Sequence, residues 1–234
     1  MMKRNALILL IATLAFGVAP LITPPFTGYD PGLFPVRIDR NAIQPAGYAF
    51  AIWSVIYLWL IAHAVFGLWK RAENPAWDAV RLPLALAVGV GAVWLWIAGQ
   101  SAIWGTVTIW IMAAGALMAF LRADTGMDRW MLSGPLAIFA GWLTAASAVS
   151  TGVLVAGYGW LGDTATAVAM LALVLVVAVT VQMRRPQMPV YGLTVIWALV
   201  GVIVANASAN MTVAALAGAG IAIMAATLWI SRKA

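Results

Sequence analysis

The chain has no cysteine and one histidine, and only nine per cent of its residues are charged. Without cysteine there is no disulfide, thiolate nucleophile, iron–sulfur cluster or zinc–thiolate site, and the redox compartment leaves no mark. One histidine excludes a haem held between two histidines of this chain. The seven acidic residues, Asp30, Asp39, Glu73, Asp78, Asp124, Asp128 and Asp163, all lie between the apolar runs or at their edges. Pumps and ion-coupled carriers place ionisable groups inside their bundles. Hydrolysis needs an acid and a base within reach of each other. Neither arrangement is available at depth, where His63 is the one ionisable side chain apart from tyrosines.

What the chain has instead is apolar length. Sixty-five per cent of residues are hydrophobic, and the stretches 41–69, 82–121, 130–162 and 186–231 carry no charge at all. About 20 apolar residues cross a bilayer as a helix, so the longer stretches must fold back as hairpins. Backbone in lipid must satisfy its own hydrogen bonds, which selects helices. Membrane barrel strands alternate polar and apolar residues, and no such alternation is present. The expected fold is therefore an all-α integral membrane bundle of about eight transmembrane helices. They are predicted at about Asn5–Leu21, Pro45–Trp69, Leu82–Gly99, Ala102–Leu121, Met131–Leu154, Thr164–Met183, Val190–Ala207 and Met211–Ile230. The third and fourth are joined by a very short turn, Gly99-Gln100-Ser101, and must pair antiparallel.

The basic residues check that count. Threaded as eight spans, the nine polar segments hold 2, 2, 3, 0, 2, 0, 2, 0 and 2 Lys and Arg residues. Eleven of the thirteen fall on one side, with only Arg37 and Arg40 on the other. Short loops rich in Lys and Arg stay cytoplasmic, so both termini are expected there, in a bacterial inner membrane. The net charge of +6 is this signal spread over five segments, so no nucleic-acid partner is expected. Lys3-Arg4 followed by a short apolar run also fits a cleavable signal peptide. The segment 23–44 holds Pro24, Pro25, Pro31 and Pro35 and is expected to be external and irregular. Within it, Asp39, Arg40 and Asn41 are placed to cap the second helix or to form a lid.

Thirteen tryptophans are a large excess. Trp69, Trp77, Trp130, Trp160 and Trp229 lie near helix ends, where aromatic belts form. Others sit within helices. On the second helix, Trp53, Tyr57, Leu60 and His63 fall near one face. On the fifth, Trp142 precedes a small and weakly polar stripe of Thr144, Ala146, Ser147, Ser150 and Thr151. Such a stripe serves close helix packing. Together with stacking aromatics it also describes a pocket for a flat apolar ligand. His63 reads either as a neutral histidine bonded to a neighbouring helix or as an axial haem ligand or proton-sensitive gate.

These residues resemble a known family. The stretch Pro45-Ala46-Gly47-Tyr48-Ala49-Phe50-Ala51-Ile52-Trp53-Ser54-Val55-Ile56-Tyr57 is similar to the second-helix signature of the tryptophan-rich sensory protein family. That family includes the translocator protein, or peripheral benzodiazepine receptor. Trp53 and Tyr57 match its Trp-x-x-x-Tyr element. Trp94 matches the Trp of its Asn-x-x-Trp element, with Gly91 where the Asn would stand. Gly141-Trp142-Leu143-Thr144-Ala145-Ala146 resembles its fifth-helix element, with Ser150 where Asn is frequent. The resemblance covers about residues 5–154, and the longer bacterial form of the family carries extra helices. It implies a five-helix bundle over 1–154 with three further helices over 155–234 packed on it as one membrane domain.

The resemblance further implies a ligand cavity lined by aromatic residues, with Tyr48, Phe50, Trp53, Tyr57, His63, Trp94, Trp142 and Ser150 as candidate binding residues. It points to a binding or sensory protein for a planar hydrophobic ligand, a tetrapyrrole such as porphyrin or haem, or a sterol-like molecule. No cofactor is obligatory. A passive transporter or exporter of a small hydrophobic solute is the alternative. An enzyme has no nucleophile–base pair to support it. Expected partners are the lipid bilayer, the hydrophobic ligand and a second copy of the chain. Gly218 and Ala222 in the last helix offer a small-xxx-small spacing for close helix contact.

Overall fold

A computed structural model describes residues 1–24, 26 and 28–233. Among these there is no strand. Eight α-helices follow in order: α1 (Met2–Ile22), α2 (Ile52–Arg71), α3 (Pro75–Gln100), α4 (Ala102–Arg122), α5 (Ser133–Gly157), α6 (Asp163–Arg184), α7 (Val190–Asn206) and α8 (Met211–Ser231). Seven are long and apolar enough to cross a bilayer, α2 together with the short helix that leads into it. The eighth, α7, is apolar but has only 17 residues. The protein is a multi-pass helical membrane protein.

Two contact units make up the chain, and they interleave along it. The first comprises Met1–Phe26 and Ile52–Leu143; the second comprises Thr27–Ala51 and Thr144–Ala234. The division falls inside α5.

In the first unit, α3 packs along α4 and α1, and α1 along α2. The α3–α4 turn is as tight as expected: the Ser101 hydroxyl accepts from the Trp104 amide at 3.3 Å and caps α4. Close approach of these two helices requires Gly115. A Cβ there would lie 2.7 Å from the Pro83 carbonyl oxygen, which is backbone and cannot swing away. Every residue from Leu132 to Ala145 is buried, so the first half of α5 has no lipid-facing stripe. Its composition suits this, being apolar or small on all sides.

Helix α3 starts at Pro75, seven residues before the expected Leu82. The Asn74 side chain accepts from the amides of Ala76 (2.9 Å) and Trp77 (3.3 Å), and Pro75 fills the first turn. Asp78 and Arg81, which marked a loop, lie inside the helix. Arg81 is 1% exposed. Its guanidinium donates to the carbonyls of Gly67, Arg71 and Ala72 at the end of α2, to Met2 O, and to Asp78. It thus adds charged side-chain donors to carbonyls at the C-terminal end of α2 and at the start of α1.

The second unit holds the long proline-rich segment, and its hydrogen bonds run to α5, α6 and α7. The Val36 amide donates to Gly157 O at 2.9 Å, and the Ala46 amide to Gly201 O at 2.9 Å. Asp163, the first residue of α6, accepts from the Ala42 amide at 3.0 and 3.1 Å. Asn206, at the end of α7, donates to Ala42 O at 2.8 Å. The Arg40 guanidinium donates to Ala205 O. Asn41 is buried and donates to Asp163 at 3.4 Å, so it does not cap α2. The chain then turns through a 3₁₀-helix at Gly47–Ala51, where a regular start at Pro45 was expected. The Trp197 indole donates to Ala49 O at 2.9 Å. A Cβ on Gly201 would press on Pro45 and Ala49 at 2.8 and 2.9 Å, so only glycine lets α7 lie this close. Helix α8 packs on α7 and α6, with Asn210 capping it through Val213 N at 3.3 Å.

Candidate functional site

Five aromatic rings meet in the first unit. Trp53 and Tyr57, one turn apart on α2, stack with centroids 5.4 Å apart and planes at 20°. Trp142 of α5 meets Trp53 edge-on at 6.1 Å and 83°. Phe16 of α1 contacts Tyr57 at 4.8 Å and Trp53 at 6.0 Å. Phe139, one turn before Trp142, lies 5.6 Å from Phe16 and 6.4 Å from Trp53. Phe16 and Phe139 are additions to the sequence-based set. The spacing of Phe139 to Trp142 is i, i+3 on one helix face, a signal that was present in the sequence. Nothing in the sequence of α1 singles out Phe16, whose partners lie on other helices.

The geometry of this cluster is that of attractive ring pairs, offset or edge-to-face at 4.5–7 Å. It presents π faces and edges and no ionised group. A planar apolar molecule fits such surroundings chemically. A molecule as wide as a tetrapyrrole requires one ring, such as that of Trp53, to swing aside, because the rings now touch one another.

The other expected residues are distributed differently. His63 is fully buried, six residues beyond Tyr57 on α2. Its Nδ1 lies 2.8 Å from Met131 O and its ring stacks on Trp77 at 4.8 Å and 20°. A carbonyl only accepts, so Nδ1 carries the proton. Nε2 is then a buried lone pair with no hydrogen-bond partner among the described residues. Trp94 donates to Gly105 O at 2.8 Å and meets Phe26 at 5.1 Å. Tyr48, Phe50 and Ser150 belong to the second unit. There Tyr48 packs edge-on against Trp197 at 5.6 Å, Phe50 is exposed, and the Ser150 hydroxyl bonds that of Tyr29 at 2.7 Å.

Beside His63 the α4–α5 connection is fastened along α2 at three levels. Arg71 forms a two-pronged ion pair with Asp128 at 2.7 and 3.1 Å. His63 holds Met131 O, and the Trp59 indole donates to Trp130 O at 2.8 Å. Asp128 also accepts from the Trp77 indole at 3.0 Å. The hydrogen bond from Arg71, then that from Trp77, hold the Asp128 carboxyl below the usual carboxylate value, against the opposing effect of burial. Asp128 adopts φ 47°, a left-handed conformation in which Asp and Asn are the favoured residues after glycine.

The family model of TSPO-like proteins matches residues 5–230. The chain is a member of that family. The match runs through α8, beyond the stretch to about residue 154 that carried the sequence resemblance, so all eight helices of this TSPO-like protein lie within it. Comparison with curated proteins and with solved structures returns no match.

Proposed function

We propose that this TSPO-like protein binds a planar hydrophobic molecule within the bilayer, of the tetrapyrrole or sterol-like class, as a binding or sensory protein. The observation that carries the reading is the convergence of Trp53, Tyr57 and Trp142 with Phe16 and Phe139. Three helices each contribute aromatic rings to one apolar locus. Affinity would come from apolar burial and stacking, with each aromatic pair worth about 0.5–1.5 kcal/mol beyond its area. The ligand would replace ring–ring contacts with ring–ligand contacts of the same kind, so its binding is read directly by the indoles.

For haem, His63 is the sole histidine candidate. Its Nδ1 is committed to Met131 O, which leaves Nε2 as the ligating atom. That ring lies six residues, about 9 Å of helix rise, past Tyr57. A metal-free ring system suits the aromatic cluster without that histidine.

The distribution of Lys and Arg supports an orientation with both termini cytoplasmic in a bacterial inner membrane, α7 counting as a span.

The test is titration of the purified protein with protoporphyrin while following tryptophan fluorescence. Saturable quenching is expected in the wild type, and weaker quenching in Trp142→Ala. Its absence in the wild type defeats the proposal.

A further inference from the structure

Several threonines within the helices return their hydroxyls to the carbonyl one turn back. Thr106 donates to Ala102 O at 2.9 Å and Thr180 to Val176 O at 2.7 Å, while Thr194 and Thr227 donate to Val190 O and Ile223 O at 2.8 Å each. Thr13 of α1 departs from this pattern. It is 1% exposed, yet its hydroxyl reaches neither Leu9 O nor any other hydrogen-bond partner among the described residues. Native folds leave few buried polar groups open, because such a group gives up water and gains nothing in exchange.

The other buried polar side chains of the first unit are engaged. Asn5 donates to Asp78 at 3.1 Å, Ser133 to Arg129 O at 3.1 Å and Thr106 to Ala102 O. Arg81 donates to its carbonyls and to Asp78, and His63 is held through Nδ1. Thr13 belongs to the buried stripe Leu9, Thr13, Phe16 of α1. Three residues separate it from Phe16, about 4.5 Å of rise, and that spacing puts both side chains on one helix face. Phe16 is the α1 member of the aromatic cluster, 4.8 Å from Tyr57 and 5.6 Å from Phe139. His63 Nε2 lies about 9 Å of rise past Tyr57, so Thr13 is the nearer of the two to a cluster ring, measured along its own helix.

We propose that Thr13 is a specificity-determining residue of the aromatic locus, its hydroxyl kept for a neutral oxygen on the bound molecule. This rests on the planar-ligand reading above and narrows it to the sterol-like class: a flat apolar ring system with a single hydroxyl or ketone. A threonine hydroxyl donates to a ketone, and donates to or accepts from an alcohol. It carries no charge, so it does not offset the burial of a carboxylate.

The test uses two flat probes that differ in one group, pyrenemethanol and ethylpyrene. Each is titrated into the full chain in detergent while tryptophan emission is followed. The readout is the ratio of their dissociation constants, and comparing that ratio between wild type and variant cancels the partition of each probe into detergent. Wild type is expected to favour the alcohol about fivefold more than Thr13→Val does, the worth of one hydrogen bond. Thr13→Ser keeps the preference. Thr13→Val has the shape of threonine without the hydroxyl, and should unfold at a temperature equal to or above that of wild type, since no bond is lost. Equal ratios in wild type and Thr13→Val, with both probes binding saturably, overturn the inference and leave the planar-ligand reading standing. Saturable quenching by neither probe overturns both. A lowered unfolding temperature in Thr13→Val also overturns the inference, by showing that the hydroxyl serves the fold.

Discussion

The ring of Phe16 occupies the space into which a side chain at Gly91 would project. A Cβ on Gly91 would lie 2.5 and 2.7 Å from two Phe16 ring carbons and 2.9 Å from the Met112 methyl. The family element to which Trp94 belongs has Asn where this chain has Gly91. The substitution is thus coupled to the aromatic cluster, because the same Phe16 ring packs on Tyr57 and Trp53.

Gly91→Asn should therefore overpack the junction of α1, α3 and α4 and cost about 1–3 kcal/mol. The double variant Gly91→Asn, Phe16→Ala should recover part of that loss, because the obstructing ring is gone. Thermal unfolding in detergent compares the two. Recovery in the double variant marks direct coupling; simple addition of the two losses contradicts it.

Trp142→Ala should destabilise the fold by about 3–5 kcal/mol, the usual range for removing a buried large aromatic. Trp142→Phe keeps a ring against Trp53 and should retain most stability. If the proposed ligand stacks here, protoporphyrin quenching weakens in both variants, more strongly in the alanine one. The quenching titration is read alongside unfolding, so loss of binding is separated from loss of fold.

Arg81→Met removes five hydrogen bonds while keeping side-chain length. It takes the guanidinium donors away from the end of α2 and from Met2 O, and a loss of about 3–5 kcal/mol is expected, as for breaking a buried charged network. Backbone amide exchange should rise at the end of α2 and the start of α1. A variant as stable as wild type would show that water replaces the guanidinium at no cost.

Asp128 gives a pH dependence with a defined sign. Its folded-state pKa lies below the ordinary carboxylate value. Its contribution is therefore complete above that ordinary value and is lost as pH falls toward and through the lower folded one. Asp128→Asn tolerates the same φ and should flatten this acid-side decline in unfolding temperature while lowering stability at neutral pH. Equal acid slopes in wild type and variant would contradict the assignment. Asp128→Ala should be less stable than Asp128→Asn, since it adds left-handed backbone strain to loss of the pair.

The helices were legible because bilayer length and hydropathy are properties of single segments. The convergence of Trp53, Tyr57 and Trp142 was legible for a related reason, since helical spacing and similarity to a known signature sort residues onto faces. Phe139 shared that spacing with Trp142 and went unread, and Phe16 had no marker. The start of α3 was misplaced because Arg81 looks like a loop residue until its five acceptors are known. The fastening of the proline-rich segment was hidden for the same reason. Asp163 and Asn206 meet Ala42 across more than a hundred residues, and no local pattern records such a pairing.

That fastening has a consequence for synthesis. The amides of Ala42 and Ala46 find their acceptors only on Asp163 and on Gly201. When the ribosome has delivered α1 and α2, the stretch between them has nothing to hold. It must wait, in water or at the membrane surface, until the acceptors on α5, α6 and α7 have emerged. Assembly of the second unit is accordingly a late event that closes a large loop, the kind of step that slows folding. A chain stopped after α5 would keep the bonds of Tyr29 and Val36 to that helix and leave the amides of Ala42 and Ala46 without their acceptors.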